Sequence, residues 1–212
     1  MRKKERYEHV ISYFLDTMPD VSSELNYVNA FQLLVAVILS AQCTDKRINQ
    51  VTPSLFAAYP DANRMSEASE SDIYEYIKSV SYPNSKSRHL LGMSKMLVER
   101  FGGKVPDDME SLTSLPGVGR KTANVVLSVI WNRSTFAVDT HIFRVSRRIG
   151  LASIRCTTPL AVEKELTSHF PPDLIPRAHH WLLLHGRYVC TARNPKCAEC
   201  GLQAFCKSFI GR

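Results

Sequence analysis

The feature that most restricts the fold of this chain is the turn within residues 115–124 and the helix that follows it. The proline after Leu115 disfavours helical geometry at that residue, so a preceding helix must end there. Gly117 and Gly119 permit positive φ angles and close approach by another molecule. A helix can begin at Arg120, and its first N–H groups, which lack intrahelical acceptors, would converge on one place. The pattern predicts either a phosphate-binding turn or a plain corner between two helices.

Lys121 favours the functional interpretation of this turn. It lies in the first helical turn, where the partial positive charge of the helix terminus disfavours a structural lysine. The helix dipole and the adjacent Arg120 both favour the neutral amine, which is the nucleophilic form.

Asp139 is the expected partner of Lys121. A helix of about twelve residues climbs ~18 Å, and a return of about seven extended residues spans ~23 Å. The chain can therefore bring Asp139 back beside Lys121. Because Asp139 precedes a helical pattern, it is also a predicted N-cap. It is thus a candidate general base or cation stabiliser, with a purely structural cap as the alternative.

The chain resembles the endonuclease III family of helix–hairpin–helix DNA glycosylases at residues 115–123 and 138–141. The resemblance implies a bifunctional DNA N-glycosylase and abasic-site lyase of base excision repair, which removes oxidised pyrimidines from duplex DNA. Lys121 would displace the base and form a Schiff base with the opened sugar, with strand cleavage by β-elimination, and Asp139 would assist. The DNA contacts expected at the hairpin are Gly117, Gly119 and Arg120. The residues expected near the substrate pocket are Asp45 and His141.

Two further loops are implicated because a base must leave the duplex before its sugar can be attacked. Gln42 matches the glutamine with which the family fills the resulting hole. The second loop departs from the family pattern, because Ser81-Tyr82-Pro83 replaces a glycine, an aliphatic wedge and an aromatic residue. Tyr82 therefore occupies the wedge position, and Pro83 should force it into extended geometry. The alternative is a tyrosine packed on a neighbouring helix.

Apolar residues recur at helical spacing along most of the chain, and no convincing alternating strand or internal repeat is present. The sequence predicts an all-α protein. Asp45 should cap a helix that Pro53 breaks, and Ser69 with Asp72 resembles a capping box. The family resemblance implies two helical lobes with the active site in the cleft between them. These are a six-helix bundle at residues 22–133, and a cluster domain formed by residues 1–21 and 134–212.

Four cysteines near the end of the chain have the spacing C-x6-C-x2-C-x5-C. They are Cys190, Cys197, Cys200 and Cys206. Such tight loops favour a metal over disulfides in an intracellular chain. Four thiolates suit either zinc or an iron–sulfur cluster, and chemistry alone slightly favours structural zinc. The resemblance implies a 4Fe–4S cluster with a structural and DNA-orienting role. Arg193 and Lys196, between the first two ligands, are candidate phosphate contacts or a solvated basic loop.

The net charge of +7 and the pI of about 9.2 suit a polyanionic partner. The N-terminus lacks the apolar segment of a signal peptide. The most apolar run, at residues 31–39, is far shorter than the ~20 residues that span a bilayer. We therefore expect a soluble monomer without a membrane partner that binds damaged double-stranded DNA. In a bacterium it would be cytoplasmic and nucleoid-associated.

Three alternative functions have to be weighed against a bifunctional enzyme. Related adenine glycosylases share the hairpin and the cluster but lack the lysine, and a mismatch glycosylase of this fold would be monofunctional. The third alternative is a non-catalytic, redox-sensing DNA-binding module. Lys121 counts against the first two alternatives, and its presence together with Asp139 counts against the third.

Overall fold

The computed structural model describes residues 1–210 of the 212-residue chain. Within this range the regular structure is helical and no strand is found, so the all-α prediction is confirmed. No helix in the described range is long and apolar enough to cross a membrane. The chain divides into two compact units, each with its own hydrophobic core.

One unit is Ser23–Trp131. Its helices are α2 (Ala30–Ser40), α3 (Asp45–Ala58), α4 (Ala62–Ser66), α5 (Glu70–Ile77), α6 (Pro83–Phe101), α7 (Met109–Ser114) and α8 (Arg120–Trp131). Helix α2 is apolar on all sides, and every residue from Phe31 to Leu39 is buried. A helix without a polar face must lie inside its unit. The other helices of the unit therefore pack around α2.

Helix α3 corrects two predictions. Its N-cap is Thr44, whose side chain accepts a hydrogen bond from the Arg47 N–H, so Asp45 is the first helical residue rather than the cap. The helix also continues through Pro53 to Ala58. An internal proline costs about 3 kcal/mol, but the helix buries Ile48, Val51, Thr52 and Leu55 on both sides of Pro53. This packing keeps the helix continuous.

The unit has seven helical segments in place of the six expected. The additional one is the five-residue α4, which begins because the Asp61 side chain accepts a hydrogen bond from the Arg64 N–H. The predicted capping box of Ser69 and Asp72 is present at the start of α5, with both reciprocal hydrogen bonds.

The other unit combines Met1–Ser22 with the chain from Asn132 onward. Its helices are α1 (Lys3–Thr17), α9 (Thr140–Ile149), α10 (Pro159–Thr167), α11 (Ile175–Tyr188) and α12 (Lys207–Ile210). Short 3-10 turns lie at Pro172–Leu174, Cys197–Glu199 and Gln203–Phe205. Trp181 is fully buried, stacks on Phe14 of α1, and donates its indole N–H to the Met18 carbonyl at 2.8 Å. The N-terminal helix is thereby packed into the core of the C-terminal helices.

Candidate functional site

The hairpin turn requires glycine at one of its two glycine positions. Gly117 has a φ of +78°, and a Cβ built on it would lie 2.9 Å from the Cβ of His89 on α6. Both the backbone conformation and the contact exclude a larger residue. Gly119 lies outside the left-handed region, and its Cβ would meet no heavy atom within 4 Å. Of the two hairpin glycines, Gly117 alone has a positive φ. Gly119 leaves open space beside the start of α8.

Helix α8 begins directly after this turn. The Gly119 carbonyl accepts the N–H of Ala123 at 3.0 Å, which is the first helical hydrogen bond. Arg120 and Lys121 are both exposed in the first turn. Helix geometry leaves the first N–H groups without intrahelical acceptors. The turn thus presents an exposed amine beside a helix terminus that favours anions.

Asp139 is the N-cap of α9, as predicted. Its Oδ1 accepts the Ile142 N–H at 2.8 Å, and its side chain is half-buried. Asp139 belongs to the unit that includes the chain from Asn132 onward, whereas Lys121 belongs to Ser23–Trp131. A cap role is therefore established for Asp139, and its catalytic role stays a prediction.

The two residues expected near the substrate pocket differ in their surroundings. Asp45 is half-buried at the start of α3. The Nδ1 atom of His141 lies 3.2 Å from Nη2 of Arg144, which also donates to the Gly186 carbonyl at 2.8 Å. A Cβ on Gly186 would lie 2.9 Å from the Cβ of His141. His141 is thus part of the close packing between α9 and α11.

The loops that contain Gln42 and Tyr82 are joined to each other. The Ser81 hydroxyl donates to the Gln42 carbonyl at 2.7 Å. Gln42 and Tyr82 both have a φ of 56°, a left-handed conformation that is uncommon for non-glycine residues. The predicted extended geometry of Tyr82 is wrong. Tyr82 is the residue before α6, and the chain reverses there to enter the helix at Pro83.

Tyr82 and Gln42 both present their side chains to solvent. Tyr82 is 64% exposed, which does not fit a tyrosine packed on a neighbouring helix. Gln42 is exposed as well. Left-handed non-glycine residues cost about 1–3 kcal/mol each and cluster at ligand-binding sites. Two such residues on joined loops are consistent with a contact surface.

The four C-terminal cysteines line one predominantly apolar pocket. None of them forms a disulfide in the described structure. Burial raises the pKa of the Cys200 thiol, and the other three thiols raise it further. Four thiolates that line the same pocket repel each other, so a cationic group among them would stabilise all four. Four sulfur donors around an apolar cavity fit an iron–sulfur cluster.

Arginines of α9 hold the loop between the first two of these cysteines. Arg148 donates to the carbonyls of Thr191 at 2.7 Å and Ala192 at 2.9 Å, and its Nη1 lies 3.6 Å from the Cys190 sulfur. Arg144 donates to the Cys190 carbonyl at 3.2 Å. These two residues were missed in the sequence, where they read as ordinary basic residues of a helix.

Basic side chains lie on the cysteine loop and on the helices that contact it. Arg193 and Lys196 are exposed on the loop itself. One open pocket is lined by four further basic side chains, those of Arg144, Arg147, Arg148 and Lys207. The clustering of Lys207 with α9 is not apparent in the sequence, because the two are far apart along the chain. This concentration of positive charge suits contact with phosphates.

Comparison with known protein families identifies the segment that contains the hairpin and the segment that contains the four cysteines. Residues 35–172 match the HhH-GPD superfamily of base excision DNA repair proteins. Residues 190–206 match the iron-sulfur binding domain of endonuclease III. The second match contains all four cysteines, so the cofactor is an iron–sulfur cluster and the zinc alternative is wrong.

Whole-chain relatives agree with these matches. Endonuclease III of Rickettsia conorii is 46% identical over 201 residues, covering 95% of each chain. Endonuclease III of Escherichia coli is 40% identical over 207 residues, covering 98% of this chain and 97% of its own.

Solved structures are also similar. A trapped endonuclease III–DNA covalent intermediate has a TM-score of 0.93 and 37% identity, and covers 100% of this chain and 99% of its own. A thermostable thymine-DNA glycosylase has a TM-score of 0.87 at 21% identity, which speaks for the fold alone. The chain belongs to the endonuclease III family of base excision DNA repair proteins.

Proposed function

We propose that this protein removes oxidised pyrimidines from duplex DNA and then cleaves the strand at the abasic site, with the Lys121 amine as the nucleophile. The observation that carries this proposal is the position of Lys121. It is an exposed lysine in the first turn of α8, directly after a turn that is open at Gly119. One of the similar structures is a trapped covalent complex of endonuclease III with DNA, which supports covalent chemistry.

The proposed reaction begins when the target nucleotide is rotated out of the helix, because its sugar carbon is unreachable inside the duplex. The neutral Lys121 amine attacks C1′, and the bond to the base breaks with its electron pair leaving on the base. The nitrogen then gives up one proton and its lone pair breaks the C1′–O4′ bond, so that O4′ takes up a proton, the sugar ring opens and a protonated Schiff base forms. Loss of a C2′ proton then expels the 3′ phosphate, which cleaves the strand.

Asp139 is assigned the second catalytic role. Its carboxylate would take a proton from the attacking amine or stabilise the cation that develops on the sugar. The cap hydrogen bond from the Ile142 N–H engages Oδ1 and fixes the orientation of the carboxylate. The assignment rests on this position and on the family motif at residues 138–141.

Damaged double-stranded DNA is the partner in this proposal. The open turn at Gly117, Gly119 and Arg120 would bind a backbone phosphate, and Arg193 and Lys196 would meet others. Gln42 and Tyr82 would fill the hole left by the rotated nucleotide, with the tyrosine ring stacking on adjacent bases. In a bacterium the substrate would be the chromosome, in the cytoplasm.

The cluster has a structural role in this account. Cys190, Cys197, Cys200 and Cys206 would hold a 4Fe–4S cluster, which supplies a rigid centre around which the loop is ordered. Arg148 and Arg144 fasten the same loop to α9. The exposed Arg193 and Lys196 are thereby kept in fixed positions.

The test uses duplexes that contain one oxidised pyrimidine, together with matched duplexes that contain a preformed abasic site. The proposal predicts release of the free base and incision of the strand by the same protein. Base release without incision of either duplex would indicate a monofunctional glycosylase. Binding without either product would indicate a non-catalytic DNA-binding module.

A further inference from the structure

Lys86 is a buried lysine with a defined pair of acceptors. It lies near the start of α6 and is 5% exposed. Its Nζ donates to the carbonyls of Leu39 and Ala41, each at 2.7 Å. These carbonyls lie at the C-terminal end of α2, whose last turn contains no basic residue of its own. A cation is stabilising at that end of a helix.

The contacts of Lys86 lie beside the two joined loops. Ala41 immediately precedes Gln42, and Tyr82 immediately precedes α6. The Ser81 hydroxyl adds a second tie, because it donates to the Gln42 carbonyl. Both Gln42 and Tyr82 have left-handed backbones, which persist only where the surrounding structure holds them. Lys86 and Ser81 supply that restraint through these hydrogen bonds.

The same helix also supports the hairpin. His89, three residues after Lys86, is the side chain against which Gly117 packs. A Cβ on Gly92 would lie 3.3 Å from Cγ of Pro116. Three to six helical residues correspond to roughly 5–9 Å. Helix α6 thus connects the loop of Tyr82 with the turn that precedes Lys121.

We infer that Lys86 is a positioning residue for base extrusion, which fastens the end of α2 to the start of α6 and so holds Gln42 and Tyr82 in the shape that fills the vacated site. This inference rests on the role proposed above for Gln42 and Tyr82. A lysine suits the task because one ammonium group can donate to several carbonyls at once. An apolar side chain of equal length would leave both carbonyls without this donor and would free the loop.

The experiment compares Lys86→Met with Lys95→Met, which changes an exposed lysine on the same helix. Each protein is measured in single-turnover base release on two duplexes. In one the oxidised pyrimidine is paired, and in the other it lies in a bulge that is already unstacked. Extrusion is difficult only for the paired base. We expect the rate of base release by Lys86→Met to fall about tenfold or more on the paired duplex, the effect of losing one charged hydrogen bond. On the bulged duplex the rate should change little. Lys95→Met should match the wild type on both.

Extrusion is also measured directly, from the fluorescence of a base analogue placed opposite the lesion. The signal should fall for Lys86→Met at temperatures where circular dichroism shows a folded protein. Equal losses on the paired and bulged duplexes, or a lower melting temperature with normal extrusion, would overturn the inference. If Lys86→Met does not fold, Lys86→Arg and Ser81→Ala are measured in its place. A loss of base release confined to the paired duplex would again support the inference, and an equal loss on both duplexes would overturn it.

Gln42→Ala and Tyr82→Ala separate this inference from the proposed function. If they reduce extrusion while Lys86→Met does not, the loops fill the site without help from Lys86, and the inference is wrong. If neither reduces extrusion, the role assigned to the two loops is wrong, and the inference fails with it.

Discussion

Two alanine substitutions in the hairpin, two residues apart, should affect different properties: Gly117→Ala the stability of the protein, and Gly119→Ala its affinity for DNA. In Gly117→Ala the alanine must adopt a left-handed backbone conformation, at a cost of about 1–2 kcal/mol. The new methyl group would also lie 2.9 Å from the Cβ of His89, so α6 or the turn must shift. A combined loss of about 2–3 kcal/mol corresponds to a melting temperature lower by roughly 4–12 °C for a chain of this size.

Gly119→Ala should leave the protein stable and weaken DNA binding. Its backbone lies outside the left-handed region, and the new methyl group meets no heavy atom. The change in stability should therefore stay within about 1 kcal/mol. The methyl group would, however, occupy the space through which a phosphate reaches the first N–H groups of α8. Loss of one charged hydrogen bond, about 1.5–3 kcal/mol, weakens the Kd by roughly 10- to 150-fold.

The pair is measured by thermal melting and by fluorescence anisotropy on a duplex with a stable abasic-site analogue, at one fixed salt concentration. Gly119→Ala that binds like the wild type would refute the phosphate site at the hairpin. Gly117→Ala that melts like the wild type would refute the argument from the positive φ and the His89 contact.

Three further predictions concern Asp139, the cluster loop and the basic surface. Asp139→Asn should slow base release by about 10²-fold or more with nearly unchanged melting, because asparagine also caps helices; a large loss of stability instead would leave Asp139 as a cap only. Purified protein should contain about four irons per chain, and Arg148→Met should lose them faster on exposure to a chelator, measured by visible absorbance. Unchanged iron loss would show that the Arg148 contacts do not hold the loop. Binding should weaken steeply with salt, with a logarithmic slope that falls by about 1 in Lys196→Ala, and a salt-independent affinity would contradict a phosphate-binding surface.

Local signals predicted much of the fold. Asp139 was expected to cap a helix, and α9 begins directly after it and ends at Gly150, so that both ends are marked within the sequence itself. The buried character of α2 follows equally from its composition. These features depend on residues within a few positions of one another. Propensity and capping are therefore sufficient to define them.

Features set by distant residues could not be predicted. Pro53 remains inside α3 because apolar residues on both sides of it are buried. The left-handed backbone of Tyr82 lies next to a hydrogen bond between Ser81 and Gln42, which are 39 positions apart in the chain. Lys86 reads as an ordinary surface lysine until its bonds to Leu39 and Ala41 are seen.

In the candidate site, too, groups set by neighbouring residues were predictable and groups set by distant residues were not. The hairpin and the four cysteines were visible as motifs because their residues are close in sequence. Arg148 was not, since its acceptors Thr191 and Ala192 lie 43 and 44 residues further along the chain. Motif spacing thus located the groups proposed for chemistry, and the tertiary structure supplied the groups that hold them.

The central claim is that the Lys121 amine becomes covalently bound to the DNA sugar. Borohydride reduction of a Schiff base gives a stable protein–DNA adduct, which runs as a shifted band on a denaturing gel. The account predicts that the wild-type protein is trapped on abasic-site DNA. Lys121→Gln should bind that DNA with similar affinity but form no adduct and make no incision. An adduct formed by Lys121→Gln at the wild-type level would contradict the assignment of Lys121 as the nucleophile.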